Sequence, residues 1–303
     1  MVNSQLCPIC KSSAVRQIIE SDYVYGGRED QSIIHCTNCD LYYLSPSPTQ
    51  DELNLFYENS FEDFMSKRSG SDANWDDNKK HFEISIREYD RRKKFLNKHT
   101  YRGCTVLEVG ASTGFMLTNL AKDNNNIQIS AVEPSLKLSN YLKSIDVENY
   151  RYLEDIDEDV KFNLVIHFFV MAHVADVKKF LQDCYDKIKP GGLMIFETPS
   201  VSDPLYSLYD IEAYKKFFWQ VAHVYNFTRK SMEYLLKSMG WSFEITPHQR
   251  YDLSNHMWWM QTDKPGGRGK YSQIFSKQLD QKYKEDLEKS KYYDSLIITI
   301  FKP

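Results

Sequence analysis

The run Val106-Leu107-Glu108-Val109-Gly110-Ala111-Ser112-Thr113-Gly114-Phe115 constrains this chain more than any other stretch. An apolar strand ends in an acid and passes through a loop of glycine and small residues into a helix. Backbone without Cβ bulk lets a ligand come close to the strand end, and open α/β sheets bind ligands at the carboxyl ends of their strands. Downstream the alternation continues, with strands expected at 105–109, 127–132, 162–167 and 193–197 and helices at 114–121, 135–145 and 177–188. Apolar strands separated by amphipathic helices predict an α/β, Rossmann-like doubly wound sheet. A helix at 229–239, a strand at 241–245, a charged helix at 273–289 and a β-branched strand at 295–301 complete the reading.

The loop is not the dinucleotide fingerprint, because Ser112 and Phe115 stand where two of its glycines belong. Nor is it a P-loop, since no Gly-Lys-Ser/Thr follows. It therefore has no device for a pyrophosphate. Glu133 closes the second strand, where an acid can accept both hydroxyls of a ribose. Glu108 would suit a cationic group. A nucleoside with a cationic tail fits S-adenosylmethionine.

Two cysteine pairs precede this domain, Cys7-Pro8-Ile9-Cys10 and Cys36-Thr37-Asn38-Cys39. Each two-residue gap lets a tight turn aim both sulfurs at one ion, and four thiolates close a tetrahedral Zn²⁺ site with no open position. Strands at 14–19 and 32–34 make this a small N-terminal zinc ribbon with structural zinc. Cys104 and Cys184 stand alone in apolar surroundings and read as packing residues.

The chain has 303 residues, 38 Lys and Arg against 42 Asp and Glu, and a formal charge of −4. That balance argues against nucleic acid as a partner. A mean hydropathy of −0.55, no membrane-length apolar run and no leader pattern point to the cytoplasm. Ser45-Pro46-Ser47-Pro48 marks a boundary. The expected organisation is a ribbon at 1–48, a helical segment at 49–100, and the Rossmann-like domain at 101–303 with an acceptor-binding insertion around 200–290. Residues 51–57 and 81–98 read as helices. The polar stretch 66–78 reads as a loop, and the basic run Arg91-Arg92-Lys93-Lys94 as a solvated helix face.

The stretch from Thr105 to Glu197 resembles the class I S-adenosylmethionine-dependent methyltransferases. Glu108 to Gly114 is similar to their first motif and Val132-Glu133-Pro134 to their second. The stretch 162–176 is similar to the strand and loop beneath the transferring methyl, and Ile188-Lys189-Pro190-Gly191-Gly192 to the turn before their fifth strand. Ala172 departs from the pattern, since many relatives carry Glu before the His at position 173. The resemblance implies cofactor contacts at Tyr57, Glu108, Gly110, Ala111, Ser112, Gly114, Glu133, Pro134 and His167.

The ribbon, the helix carrying Tyr57, and the stretches 223–228, 249–256 and 264–267 also resemble a bacterial group found with sugar and capsule biosynthesis. Some members are sugar C-methyltransferases with a further C-terminal domain. The chain stops at Pro303, which favours transfer to oxygen. The expected acceptor is a small molecule or glycan: a sugar, a nucleotide-sugar or a capsule intermediate. C-methylation of a keto sugar, methylation of RNA or protein, and a non-catalytic cofactor-sensing module stay open, as does a homo-oligomer. For catalysis the candidates are His223 as base, His173 at the strand edge, and Tyr225, which would face the same side as His223 in an extended loop. Arg250 could pair with a phosphate or carboxylate of the acceptor. His256 and Trp258 are candidates for substrate contact.

Overall fold

A computed structural model describes residues 6–68, 78–124 and 126–303. Three ribbon strands come first: β1 (Val15–Ile19), β2 (Ser32–Cys36) and β3 (Tyr42–Ser45). Helices α1 (Gln50–Asn59), α2 (Phe61–Arg68) and α3 (Asn78–Leu96) follow. Thr49 starts α1 with a reciprocal cap, its hydroxyl accepting from the Glu52 amide while the Glu52 carboxylate accepts from the Thr49 amide at 2.7 Å. Such a box contributes about 1 kcal/mol and fixes where the helix begins. The stretch expected as a loop, 66–78, has its first residues in α2 and its last in α3; residues 69–77 lie outside the described residues.

The Rossmann-like part runs β4 (Thr105–Val109), α4 (Phe115–Asp123), β5 (Gln128–Val132), α5 (Leu136–Ser144), β6 (Glu148–Tyr150), β7 (Phe162–Phe168), α6 (Val177–Asp186) and β8 (Ile188–Pro199). The insertion holds α7 (Pro204–Ser207), α8 (Glu212–Phe218), β9 (Tyr225–Asn226), α9 (Arg229–Ser238), β10 (Ser242–His248), α10 (Leu253–Thr262) and α11 (Lys277–Lys289), and β11 (Ser295–Phe301) closes the chain. One sheet has seven strands in the order β10-β11-β8-β7-β4-β5-β6. β8, β7, β4, β5 and β6 are mutually parallel, and the pair β10-β11 is added antiparallel. The α/β Rossmann-like class is thus present, with its strand order reversing next to β4, where the glycine loop emerges.

The second sheet, β1-β2-β3-β9, joins the two ends of the molecule. β9 comes from the insertion and pairs antiparallel with β3, Tyr42 opposite Asn226 and Tyr43 opposite Tyr225. Apolar packing continues through this junction. Ile9, Ile34, Leu41 and Tyr43 of the ribbon belong to the same buried cluster as Leu107, Val165, Phe196 and Phe227. The ribbon is built into the Rossmann-like body and shares its core. Among the described residues no helix is long and apolar enough to cross a membrane.

Candidate functional site

The glycine loop has the backbone its sequence requires. Gly110, Ser112 and Gly114 all have positive φ, at 74°, 52° and 66°. A Cβ on Gly110 would stand 2.6 Å from Val170 Cγ2, and one on Gly114 2.6 Å from Leu142 Cδ2. The positive φ disfavours a side chain at both places, and at Gly110 the branched Val170 also stands in the way. The amides of Gly110 and Ala111 both donate to the Val132 carbonyl, at 2.8 and 3.2 Å, tying the loop to the end of β5.

The two acids sit where the sequence puts them, and each is buried. Glu133 accepts from the Ser112 amide at 2.7 Å and the Ser135 amide at 2.9 Å. One oxygen therefore braces the loop and the other holds the turn after Pro134 into α5. Burial raises its pKa, while the two amides and Arg151 pull it back down. Glu108 is pushed up to about 8 by burial, against the opposing charge of Arg92, and its Oε2 has no hydrogen-bond partner. A buried carboxyl with a vacant acceptor at the end of β4 suits a cationic donor.

Beyond Val170 the chain makes a short 3-10 turn, Met171–His173, that delivers His173. The Val224 amide donates to the Ala172 carbonyl at 2.8 Å and brings the His223 loop alongside. The two imidazole rings lie 5.1 Å apart, centre to centre. His173 Nδ1 is 2.7 Å from the Ala222 carbonyl oxygen and 2.7 Å from the Tyr57 hydroxyl. The carbonyl can only accept, so the ring proton sits on Nδ1. Burial drives His173 down to about 4, although the Ala222 and Phe169 carbonyls oppose this. His223 falls well below its ordinary value through burial, then through the fields of His173, Arg68 and Arg250. Both rings are neutral at pH 7. The Gln220 amide is the nearest partner of His223, at 3.1 and 3.3 Å from its two nitrogens. Tyr57 and Phe61 of the α1–α2 segment form a wall over the pair, Phe61 at 6.4 Å from His173.

Other expected site residues lie elsewhere. Tyr225 is buried, and its hydroxyl donates to the Ala175 carbonyl at 2.7 Å, so the residue that was to face the same side as His223 is turned into the shared core. His167 is fully buried, stacked on Phe196 at 4.5 Å, with both ring nitrogens unpartnered and a pKa driven to about 3 by burial. It belongs to the sheet interior. His256 is fully buried against the Tyr283 hydroxyl at 2.5 Å and the Gln249 amide at 3.3 Å, inside the insertion. Trp258 packs its Cβ where a side chain on Gly267 would have to stand, donates to the Pro265 carbonyl, and carries Lys270 3.4 Å above its ring. Both residues hold the insertion together. Arg250 is paired through Nε with Asp294 at 2.8 Å and stacks on Phe169 and Tyr251.

The basic run on α3 departs most from expectation. Arg91 and Arg92 are largely covered, with side chains only 10% and 13% exposed, and they point to an ion-pair partner instead of solvent. Arg91 grips Glu197 of β8 through both terminal nitrogens, at 2.8 and 2.7 Å, and Arg92 adds a bond at 3.1 Å. Glu88 bonds Arg91 and Arg268. Glu197 is held down at about 2 because these guanidinium groups outweigh its burial. Arg68, which sequence reasoning missed, ends α2 over the Phe217 ring and donates to the Phe217 carbonyl at 2.7 and 3.2 Å. Its only sequence signal was a basic residue at the end of a short aromatic-rich segment. A cavity of about 490 Å³ lined by Thr105, Ser130, Glu148 and Lys189 opens at the opposite, amino-terminal end of the strands, away from the loop and the histidines.

The sulfurs of Cys7, Cys10, Cys36 and Cys39 all lie within 4.8 Å of one another. The two pairs are built alike: the Lys11 amide donates to the Cys7 carbonyl and the Asp40 amide to the Cys36 carbonyl, with positive φ at Lys11 and Asp40. Two equivalent knuckles facing each other suit a single tetrahedral ion.

Proteins of known kind are similar to parts of this chain. The Ubiquinone biosynthesis O-methyltransferase of Nitrobacter winogradskyi is 29% identical over 124 residues, 38% of this chain and 46% of that protein. The protein of the same name from Rickettsia bellii is 23% identical over 174 residues, 52% of this chain and 70% of its own length. The chain spans about half the length of the first of these curated relatives. A SAM dependent methyltransferase from Archaeoglobus fulgidus shares the fold at a TM-score of 0.52 and 13% identity, covering 80% of this chain and all of that one. A chain in a complex of the Haloferax volcanii Trm112 methyltransferase activator with a methyltransferase gives 0.51 and 12%, covering 84% and 98%. The family model of the methyltransferase domain (Methyltransf_23) matches residues 75–245, more than half of the chain, and the chain belongs to that family.

Proposed function

We propose that this chain transfers a methyl group from S-adenosylmethionine to a hydroxyl oxygen of a small-molecule acceptor, with His223 taking the proton. The observation that carries this is the pair of neutral histidines, 5.1 Å apart, beside the end of the glycine loop and under Tyr57. When bound, S-adenosylmethionine supplies a methyl already activated on a sulfonium, so the protein's work is alignment and proton removal. Gly110, Ala111, Ser112 and Gly114 offer close backbone approach, Glu133 and Pro134 the ribose position, and Glu108 a partner for the cationic end. His173, anchored by Ala222 and Tyr57, keeps its ring still next to His223. Transfer to oxygen is supported by relatives named as O-methyltransferases. Those relatives are named for ubiquinone biosynthesis and lend no support to the sugar or capsule acceptor suggested by motif resemblance. The ribbon cysteines would hold one structural zinc ion, leaving no position for a substrate on the metal.

Tritium-labelled S-adenosylmethionine and extract of the source cells test the reading. Label should pass to molecules below the cut-off of an ultrafiltration membrane, and His223→Ala should reduce transfer at least 100-fold with S-adenosylhomocysteine affinity within threefold of wild type. Label in no fraction, or turnover surviving the substitution, would overturn the assignment.

A further inference from the structure

His223 has a neighbour that proton removal as described leaves unused. Gln220 follows α8 and is 3% exposed. Tyr25 grips its backbone from both sides: the Tyr25 amide donates to the Trp219 carbonyl at 3.0 Å, and the Val221 amide donates to the Tyr25 carbonyl at 3.1 Å. A tight turn then closes, the His223 amide donating to the Gln220 carbonyl at 3.0 Å. That turn brings the two side chains together, with Nε2 of Gln220 3.1 Å from Nε2 and 3.3 Å from Nδ1 of His223. At the other end of the same amide, Oε1 is buried and has no hydrogen-bond partner among the described residues. A buried polar atom without a partner is costly, so its place beside the base calls for a reason.

The chemistry of the two groups supplies one. A neutral imidazole has one N–H and one lone pair, whereas a protonated ring has two N–H groups and accepts nothing. An amide offers a donor at one end and an acceptor at the other. We propose that Gln220 is the positioning residue of the base: its amide holds the neutral His223 ring with the donor end and turns to accept from the ring once a ring nitrogen has taken the hydroxyl proton of the acceptor. This deepens the methyltransferase reading and rests on it. A carbonyl accepting from a charged N–H makes a stronger bond than an amide donating to a neutral ring, so the contact favours the state reached by proton transfer. The other groups act the opposite way. His173 on the 3-10 turn, with Tyr57 of α1 bonded to it, Arg68 at the end of α2 and Arg250 after β10 surround the ring, and His173, Arg68 and Arg250 all disfavour its charged form.

Histidine carbon-13 and nitrogen-15 resonances of the full-length, zinc-loaded protein test this with no acceptor present, the His223 signals being those lost in His223→Ala. Gln220→Glu sets a carboxylate against the ring, and the His223 midpoint should rise by about one to three pH units. Gln220→Met keeps the bulk and removes the amide. It should leave the midpoint no higher than in wild type and change the nitrogen shifts that report which ring nitrogen is protonated. In the tritium assay with cell extract, Gln220→Met should lower transfer at least tenfold with S-adenosylhomocysteine affinity within threefold of wild type. A Gln220 that only packs the loop would move neither the midpoint nor the nitrogen shifts. An unmoved midpoint in Gln220→Glu, unchanged nitrogen shifts in Gln220→Met, or transfer by Gln220→Met within twofold of wild type would overturn the proposal. Failure of wild type to bind S-adenosylhomocysteine would instead overturn the methyltransferase reading, because the histidine spectra are read without it.

Discussion

Replacing Glu197 by Gln should cost about 3 kcal/mol of stability at pH 7, and the figure follows from the contacts of one side chain. Glu197 is fully buried and accepts four bonds: two from Arg91, one from Arg92 and one from the Ser295 hydroxyl at 2.8 Å. Gln keeps the shape but turns one acceptor into a donor facing guanidinium donors, and it removes the charge. Breaking a buried pair in this way costs roughly 3–5 kcal/mol. The lower end applies because Glu88 still faces Arg91 and Arg92. Urea unfolding followed by tryptophan fluorescence should show a midpoint lower by about 1 M, taking roughly 3 kcal/mol per molar for the slope. The gap between wild type and variant should depend on pH in a definite direction. The carboxyl of Glu197 is depressed to about 2 in the folded protein. Its stabilisation is complete above the unfolded value of about 4.3 and drains away as pH falls toward 2. A loss below about 1 kcal/mol at pH 7, or a gap unchanged between pH 6 and pH 3, would refute the reasoning.

Three further outcomes are expected. Tyr225→Phe removes one buried hydrogen bond and should cost about 1 kcal/mol in a thermal melt while leaving the transfer rate within a few-fold; a loss as large as that of His223→Ala would return Tyr225 to the catalytic group. Purified protein should carry one zinc ion per chain by mass spectrometry under native conditions, and Cys10→Ser or strong chelation should lower the melting temperature and the transfer rate together; full activity in metal-free protein would contradict this. Histidines at 173, 248 and 256 are each depressed to about 4. The unfolded chain therefore binds more protons between pH 4 and 6.5, so stability should be complete above about 6.5 and fall as pH drops toward 4. His256→Asn should flatten that slope; an unchanged slope would show that His256 does not titrate as its burial demands.

What could be read from sequence was whatever local geometry dictates. The strands at 105–109 and 295–301 fall where the apolar runs put them, because a β-branched or apolar run flanked by turn residues has one good solution. Gly110 and Gly114 were legible for the same reason, since positive φ favours glycine at a tight strand-to-helix turn. The four cysteines were legible from spacing alone. Features made by distant pairing were not. Arg91 and Arg92 look like an ordinary charge run until Glu197 meets them across the fold. His256 and Trp258 resemble a substrate patch until Tyr283 and Gly267 close over them. β9 has two residues and no pattern of its own; it is a strand because β3 is there to pair with it. Arg68 fell in a short helix with no periodic signal.

That pairing limits how portable the ribbon is. A boundary at Pro48 looks like a place to cut, but a fragment starting there would expose the edge of Tyr225–Asn226 and the apolar residues that Leu41 and Tyr43 cover. Unpaired edges beside apolar surface invite association between copies. Exchange of the ribbon for one from another protein therefore requires a matching strand far downstream, at Tyr225–Asn226. The loop between that strand and the Tyr25–Gln220 bridge carries His223. A change at the β3 edge of the ribbon is therefore passed through β9 to the loop that holds His223, so the ribbon sets the position of the proposed base.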